Sequence, residues 1–311
     1  MTGGGDRDAP RRAATAAHAA PASWLTFALI WTIAAVVVAL VWTTITAQVR
    51  FERSQTIAAA IRDNQNRVIA FERYVVRTLD AADVAARYLA AKYRDRGLPR
   101  PPADRPLLIQ DPVTSNPLFT AVIVADREGD VVATTLPGIP AMNIAAWDAV
   151  RVLSARSIDR LLIGRPLMSP RLNRPMVALT RRIDRADGSF GGTVTLQVDV
   201  ARFIAFTEGA TDRNSDVISV IRLDGITIAR RTGGRFSFGE NLTGTLVMRQ
   251  QMQRPNGTYL GPSSLDGIVR WFSHRRLADY PIFVTSGVGR AEILAPVEAR
   301  GARYRGGGAL L

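Results

Sequence analysis

The longest apolar run in the chain extends from Trp24 to Ile45, WLTFALIWTIAAVVVALVWTTI, and no charged residue occurs between Arg12 and Arg50. As a helix this run spans about 33 Å, enough to cross a hydrocarbon layer of about 30 Å. Trp24 and Trp42 lie near its two ends, where indole rings favour the headgroup interface. Residues 24–45 are therefore expected to form a transmembrane helix. A cleaved signal peptide and a buried core helix are the alternatives. The run is longer than a signal core and is followed by strongly polar sequence, which favours an uncleaved anchor. Arg7, Arg11 and Arg12 precede it, which places the N-terminus in the cytoplasm and the sequence after Arg50 outside it.

The period then changes. Ile57, Ile61, Val68, Phe71, Val75, Leu79, Ala86, Leu89 and Tyr93 recur at helical steps, while Arg62, Asp63, Arg67, Glu72 and Arg73 fill the opposite face. The pattern predicts a long stalk helix over residues 48–96, whose stripe packs on its own domain or on a second copy. The proline-rich GLPRPPADRP ends it.

Beyond it the pattern is that of strands. Ala121–Asp126 and Asp130–Thr135 flank a tight turn at Gly129. A short strand at Leu161–Leu167 contains Gly164 and Pro166, a longer one covers Pro175–Ile183, and Gly192–Val198 completes an antiparallel run. After a short helix near Ala201–Glu208 the order returns: Val217–Leu223, the Asp224-Gly225 turn, Ile226–Arg230, Thr258–Pro262, Ile268–Leu277 and Tyr280–Val288. Four strand features in the same order, twice, make an internal repeat. The fold class expected is α+β: a transmembrane helix, a stalk helix and two tandem modules, each with an antiparallel sheet. The expected boundaries are 1–23 for a disordered cytoplasmic tail, 107–199 and 200–294 for the two modules, and 295–311 for the start of a second membrane segment cut short.

Composition narrows the function. The chain has 311 residues, 47% of them hydrophobic and 22% charged, as in folded proteins. The net charge of +13 suggests nucleic acid, but the positive residues are scattered singly and Lys92 is the only lysine, so no nucleic-acid partner is expected. There is no cysteine, which removes disulfides, thiolate metal sites and thiol nucleophiles. The two histidines are His18, in the expected tail, and His274, on an alternating strand where it reads as structural. No metal site, cofactor or catalytic constellation is expected, and no kinase or cyclase motif is present, so the chain is not read as an enzyme.

The pieces AVIVADREGDVVATT, LLIGRPL, PMVALTRRIDRADGSFGGTVTLQVDV, VIRLDGITIARR and DGIVRWFSHRRLADYPIFVTSGVGRAEIL, in this order behind an anchor and a long helix, resemble the double-Cache (tandem PAS-like) sensor region of bacterial diguanylate cyclases, histidine kinases and chemotaxis receptors. The resemblance covers roughly Trp24 to Leu294. It implies a membrane-anchored, extracytoplasmic ligand-sensing input module in the bacterial inner membrane, with the output domain missing. It also implies a small-molecule ligand (an amino acid, carboxylate or amine) in the first, membrane-distal module, and a homodimer through the stalk. The alternative is an anchored periplasmic interaction or scaffold module with the same fold.

Four residues are candidates for ligand contact. In many relatives an arginine and paired aromatics follow the first hairpin; here that segment carries only Trp147, which either stacks on a ligand or closes the core. Arg165 either pairs with a carboxylate or is a solvated strand-edge residue. Thr180 offers a hydroxyl from the long strand. Asp199 matches a position where relatives keep an aspartate for a ligand amine, and it equally suits an N-cap for the segment that follows.

Overall fold

The structure, a computed structural model, describes residues 22–99, 101–102, 105–205 and 213–308. The expected tail over residues 1–23, with His18, falls almost wholly outside these residues, as does part of the short helix expected near Ala201–Glu208.

One helix, α1 (Ala22–Arg96), contains both the apolar run and the striped segment. Among the described residues it is the one helix long and apolar enough to cross a membrane. The chain divides into two compact units, one of residues 54–296 and one of the chain up to Arg53 with the chain from Val297. In the latter, the side chains of Trp31, Val36 and Leu40 are exposed, as lipid-facing residues are, and Arg300 pairs with Glu52 at 3.4 Å.

The larger unit holds two sheets. Strands β1 (Leu107–Leu108), β2 (Ala121–Asp126), β3 (Val131–Thr134), β4 (Leu162–Ile163), β5 (Leu167–Ser169), β6 (Arg174–Asp184) and β7 (Phe190–Asp199) form the first, in the order β1-β3-β2-β7-β6-β4, with β5 also on β6. Strands β8 (Val217–Arg222), β9 (Thr227–Thr232), β10 (Arg235–Ser237), β11 (Asn256–Pro262), β12 (Val269–Arg276) and β13 (Ile282–Gly289) form the second, in the order β10-β9-β8-β13-β12-β11. The orders repeat except at the outer edges. There β1 runs parallel to β3, whereas β10 folds back antiparallel on β9. The strand expected at Leu161–Leu167 is two pieces, broken between Ile163 and Leu167 where Pro166 offers no N–H to the ladder.

Both sheets turn one face to α1. Val68, Phe71, Val75, Leu79, Ala86 and Leu89 of the helix stripe are buried in one core with Val122, Val177, Leu196, Val220 and Val284. Earlier on the helix, Ile57 and Ile61 pack on Trp271, Val288 and Leu294. The polar residues of this seam are specific. Asn64, fully buried, donates to the Trp271 and Ser286 carbonyls and to Ser273 Oγ at 3.0–3.1 Å. Arg67 pairs with Asp216 at 3.0 Å, Tyr280 donates to Asp80, and Arg181 pairs with Asp83. The second sheet therefore sits on the earlier part of the stripe and the first sheet on the later part.

The opposite face of each sheet is covered by a short helix: α2 (Asp148–Ala155) on the first, α3 (Leu246–Gln253) on the second. The chain leaves the second sheet through α4 (Arg290–Gly308), which contains Pro296. The segment expected to be a short helix after β7 is a single 3-10 turn, Val200–Phe203.

Candidate ligand site

The repeat extends to individual hydrogen bonds. In each module the hairpin turn is a glycine with positive φ, Gly129 (87°) and Gly225 (89°). A Cβ on Gly129 would lie 2.6 Å from Ala145, and one on Gly225 2.8 Å from Thr243, so both turns require glycine. The glycine carbonyl accepts from Ile144 N–H in one module and Leu242 N–H in the other, both at 2.8 Å. One residue earlier, Asn143 and Asn241 use their side-chain oxygens to receive the N–H two positions on. These turns pin the chain over the sheet and start α2 and α3 at the same place.

Alternation along the strands then decides which side chains lie under each helix. On the first sheet the α2 face carries Thr134, Ile123, Thr195 and Thr180 in one row across neighbouring strands. The next row includes Ala125, Thr193 and Arg182. Ile123, Ala125, Val131, Ile144 and Val150 make a small apolar cluster there. Thr180 and Thr195 are fully buried and share a hydrogen bond of 3.1 Å, while Thr193 Oγ1 is buried with no protein partner. Arg182 is tied down by Asp184, the Leu153 carbonyl of α2 and the ring of Phe190.

The four residues singled out from the sequence are not gathered in one place. Trp147, half-buried at the start of α2, packs on the Ile123–Val150 cluster, and Thr180 lies on the same face of the sheet. Arg165 lies beyond the sheet edge, 3.5 Å from Asp224 in the hairpin of the second module. Asp199 caps the 3-10 turn by accepting from Ala201 N–H, with Arg174 at 3.8 Å.

Sequence reasoning did not flag the corresponding face of the second sheet. Its row is Arg230, Ser219, Thr285 and His274. By register these stand where Thr134, Ile123, Thr195 and Thr180 stand in the first module. Arg276 donates to the Gln251 carbonyl as Arg182 does to that of Leu153, so Gln251 of α3 takes the place of Leu153 of α2. His274 Nε2 lies 3.1 Å from the Arg254 carbonyl, which makes Nε2 the protonated nitrogen and leaves Nδ1 as an acceptor with no protein partner. Burial pushes this imidazole below its ordinary value, against the pull of that carbonyl, so it is neutral near pH 7. The signal that finds this face is the register: each residue alone reads as an ordinary strand position.

Comparison with known proteins agrees with this architecture. Residues 202–287 match the family model described as dCache_1_like, a histidine kinase sensor domain. No curated protein matches the sequence. Among solved structures, the chain is similar to the extracellular domain of a protein designated histidine kinase rpHK1S-Z16, with TM-score 0.66 and 21% identity over 76% of this chain and 98% of that one. It is also similar to the ligand-binding domain of the Pseudomonas aeruginosa PAO1 amino acid chemoreceptor PctB in complex with L-Gln (TM-score 0.52, 12% identity, 75% and 92% covered). A third is the ligand-binding domain of the Campylobacter jejuni chemoreceptor Tlp3 in complex with L-valine (TM-score 0.50, 8% identity, 78% and 98% covered). The chain thus carries the tandem PAS-like, double-Cache fold of the extracellular sensor domains of histidine kinases and chemoreceptors, with a dCache_1-like match over its second module.

Proposed function

We propose that this chain is the membrane-anchored, extracytoplasmic input region of a bacterial signalling receptor, non-catalytic itself, which senses a small molecule and passes its occupancy to an output domain. The observation that carries the reading is the continuity of α1. One helix, Ala22–Arg96, contains an apolar span of membrane length and then the stripe on which both sensor modules are seated. A shift of either module along that stripe moves the helix that enters the membrane. The N-terminus is cytoplasmic in this reading, and α4 is the returning strut.

The first module is taken as membrane-distal, with its ligand on the α2 face. Support comes from the buried Thr193 hydroxyl without a protein partner, the Thr180–Thr195 pair, and Trp147 closing over them. A homodimer through the stalk is part of the proposal. Val84 and Tyr88 are 67% and 47% exposed and line an open apolar groove with Ala81, Val113 and Pro117.

The test is a thermal-shift screen of the full chain in detergent micelles against amino acids, carboxylates and amines. A ligand that binds only the native state raises its melting temperature with concentration. If no compound of these classes shifts melting, small-molecule sensing fails and an anchored scaffold with the same fold takes its place.

A further inference from the structure

The α3 face of the second sheet is more polar than its counterpart at four equivalent positions. Arg230 replaces Thr134, Ser219 replaces Ile123, His274 replaces Thr180, and Gln251 replaces Leu153. A core that only needed filling would have no use for these changes, because each buried polar group without a partner is destabilising. Several of them lack partners. Gln251 is fully buried, and neither atom of its side-chain amide has a hydrogen bond. It lies three residues after Met248, on the side of α3 that packs on Ile221 and Phe283, so it faces the sheet. His274 Nδ1 is likewise without a donor.

A small cavity opens on this face, about 20 Å³ at water-molecule centres, lined by Ser219, Arg230, Tyr259, Ser263, Phe272 and Thr285 among others. Leu242 and Val247 from the α3 side give it an apolar end. Arg230 is the charged group of the lining. Its Nε donates to Thr232 and its Nη2 to Asp266 at 3.0 Å, while Nη1 has no protein acceptor. Asp266 is already held by two hydrogen bonds from Arg270, at 2.7 and 3.0 Å. Two guanidinium groups thus share one carboxylate. Glu240 also acts on Arg230 but makes no ion pair with it, and burial presses Arg230 toward losing its charge.

We propose that the second module holds its own ligand site on the α3 face, and that its ligand is a short monocarboxylate. The carboxylate is received by Arg230 Nη1 and the Ser219 and Thr285 hydroxyls, and the short carbon tail lies against Leu242 and Val247. A hydroxyl on the ligand has His274 Nδ1 and the Gln251 amide within the same covered face. No acidic side chain lines the cavity to receive an ammonium group, which sets this site apart from an amino-acid site. The cavity size restricts the ligand to a few heavy atoms.

The first module supplies fold-compatible substitutions for the test. Ser219→Ile and Gln251→Leu install what the first sheet carries at the same places, and Thr285→Val removes one hydroxyl at nearly constant volume. The full chain in lipid nanodiscs is titrated calorimetrically with acetate, pyruvate and lactate, with glycine, methylammonium and chloride as comparators. The expected result is saturable binding of at least one monocarboxylate and none of the comparators. Affinity should fall by about tenfold or more in Ser219→Ile and in Thr285→Val, and stay unchanged in Thr193→Val on the first sheet. Reading Thr285→Val in parallel keeps the answer available should Ser219→Ile fold poorly. Binding that survives both second-sheet variants and disappears in Thr193→Val puts the ligand in the first module, which overturns this inference and leaves the sensing function standing. No binding of any monocarboxylate also overturns it, while the broader screen against amino acids and amines decides the sensing function separately.

Discussion

Arg165 Nη2 lies 3.5 Å from Asp224 Oδ2, so the edge of the first sheet is tied to the first hairpin of the second. Arg222 completes the link: it pairs with Asp224 through two hydrogen bonds of 3.0 Å and donates to the Ile163 carbonyl on β4. The two arginines differ in burial, with side chains 60% and 20% exposed. Arg165→Ala is therefore expected to cost at most about 1 kcal/mol, as exposed pairs do. Arg222→Ala, which strands a partly buried carbonyl as well, is expected to cost about 1–3 kcal/mol. Denaturant unfolding of the two variants checks the order.

Asn64 is the polar pin between α1 and the second sheet. Its amide has two hydrogens for three acceptors, the Trp271 and Ser286 carbonyls and Ser273 Oγ. Asn64→Ala is expected to lower stability by about 1–3 kcal/mol, because it leaves buried carbonyls with fewer donors. Hydrogen exchange should accelerate in β12 and β13 before it does in β2 and β7. Equal acceleration in both sheets would mean that the pin is not local.

Asp266 sets an acid limit on the second module. Burial pushes its carboxyl up, but hydrogen bonds from Arg270, the Ile268 N–H and Ser263, with the Arg270 charge, outweigh burial and hold it at about 2, below the ordinary 3.8. A depressed carboxyl stabilises the fold while ionised. That contribution is present above about pH 4 and is lost as the pH falls from there toward 2; it amounts to about 2 kcal/mol. Melting curves across this window should be flatter for Asp266→Asn than for the native chain.

Thr193→Val removes a buried hydroxyl that has no protein partner. Stability is expected to hold or to rise by up to about 1 kcal/mol, since the replacement has the same shape without the buried polar atom. Any thermal shift caused by a ligand of the first module should shrink. A loss of stability on this substitution would show that the hydroxyl is a structural group.

Val84 and Tyr88 put the proposed stalk dimer within reach of sedimentation. Val84→Glu places a charge in the exposed apolar groove beside Pro117, where it meets solvent in a monomer and a partner helix in a dimer. The variant is expected to sediment as a smaller species in detergent with its melting temperature kept. An unchanged sedimentation coefficient argues against a dimer through this surface.

Much of the architecture is legible in the residues themselves. The stripe from Val68 to Leu89 is the buried face of α1, and the strand segments around Gly129 and Gly225 pair as hairpins. Both patterns are local: a helix face and an alternating strand are written in steps of three to four and of two. The helices α2 and α3 were not legible. Each has eight residues, too few for periodicity to stand out, and neither Trp147 nor Thr245 supplies a side-chain cap. The edge strand β10 is three residues long and equally silent.

The site candidates show the same division. Thr180 could be assigned to a strand from its neighbours, but its partner Thr195 comes from pairing β6 with β7. Arg165 followed a glycine and preceded a proline, which says where a strand breaks but not that Asp224 of another module lies beside it. His274 read as an ordinary strand residue. The register of four strands, with α3 laid across them, sets it in line with Thr285, Ser219 and Arg230 and beneath the same helix as Gln251. By itself the sequence determined the apolar span, the striped helix and the two runs of strands, because each depends on neighbours within a few residues. Only the tertiary structure decided which polar side chains share a covered face, because register and helix docking join residues more than fifty positions apart, and no local pattern encodes that distance.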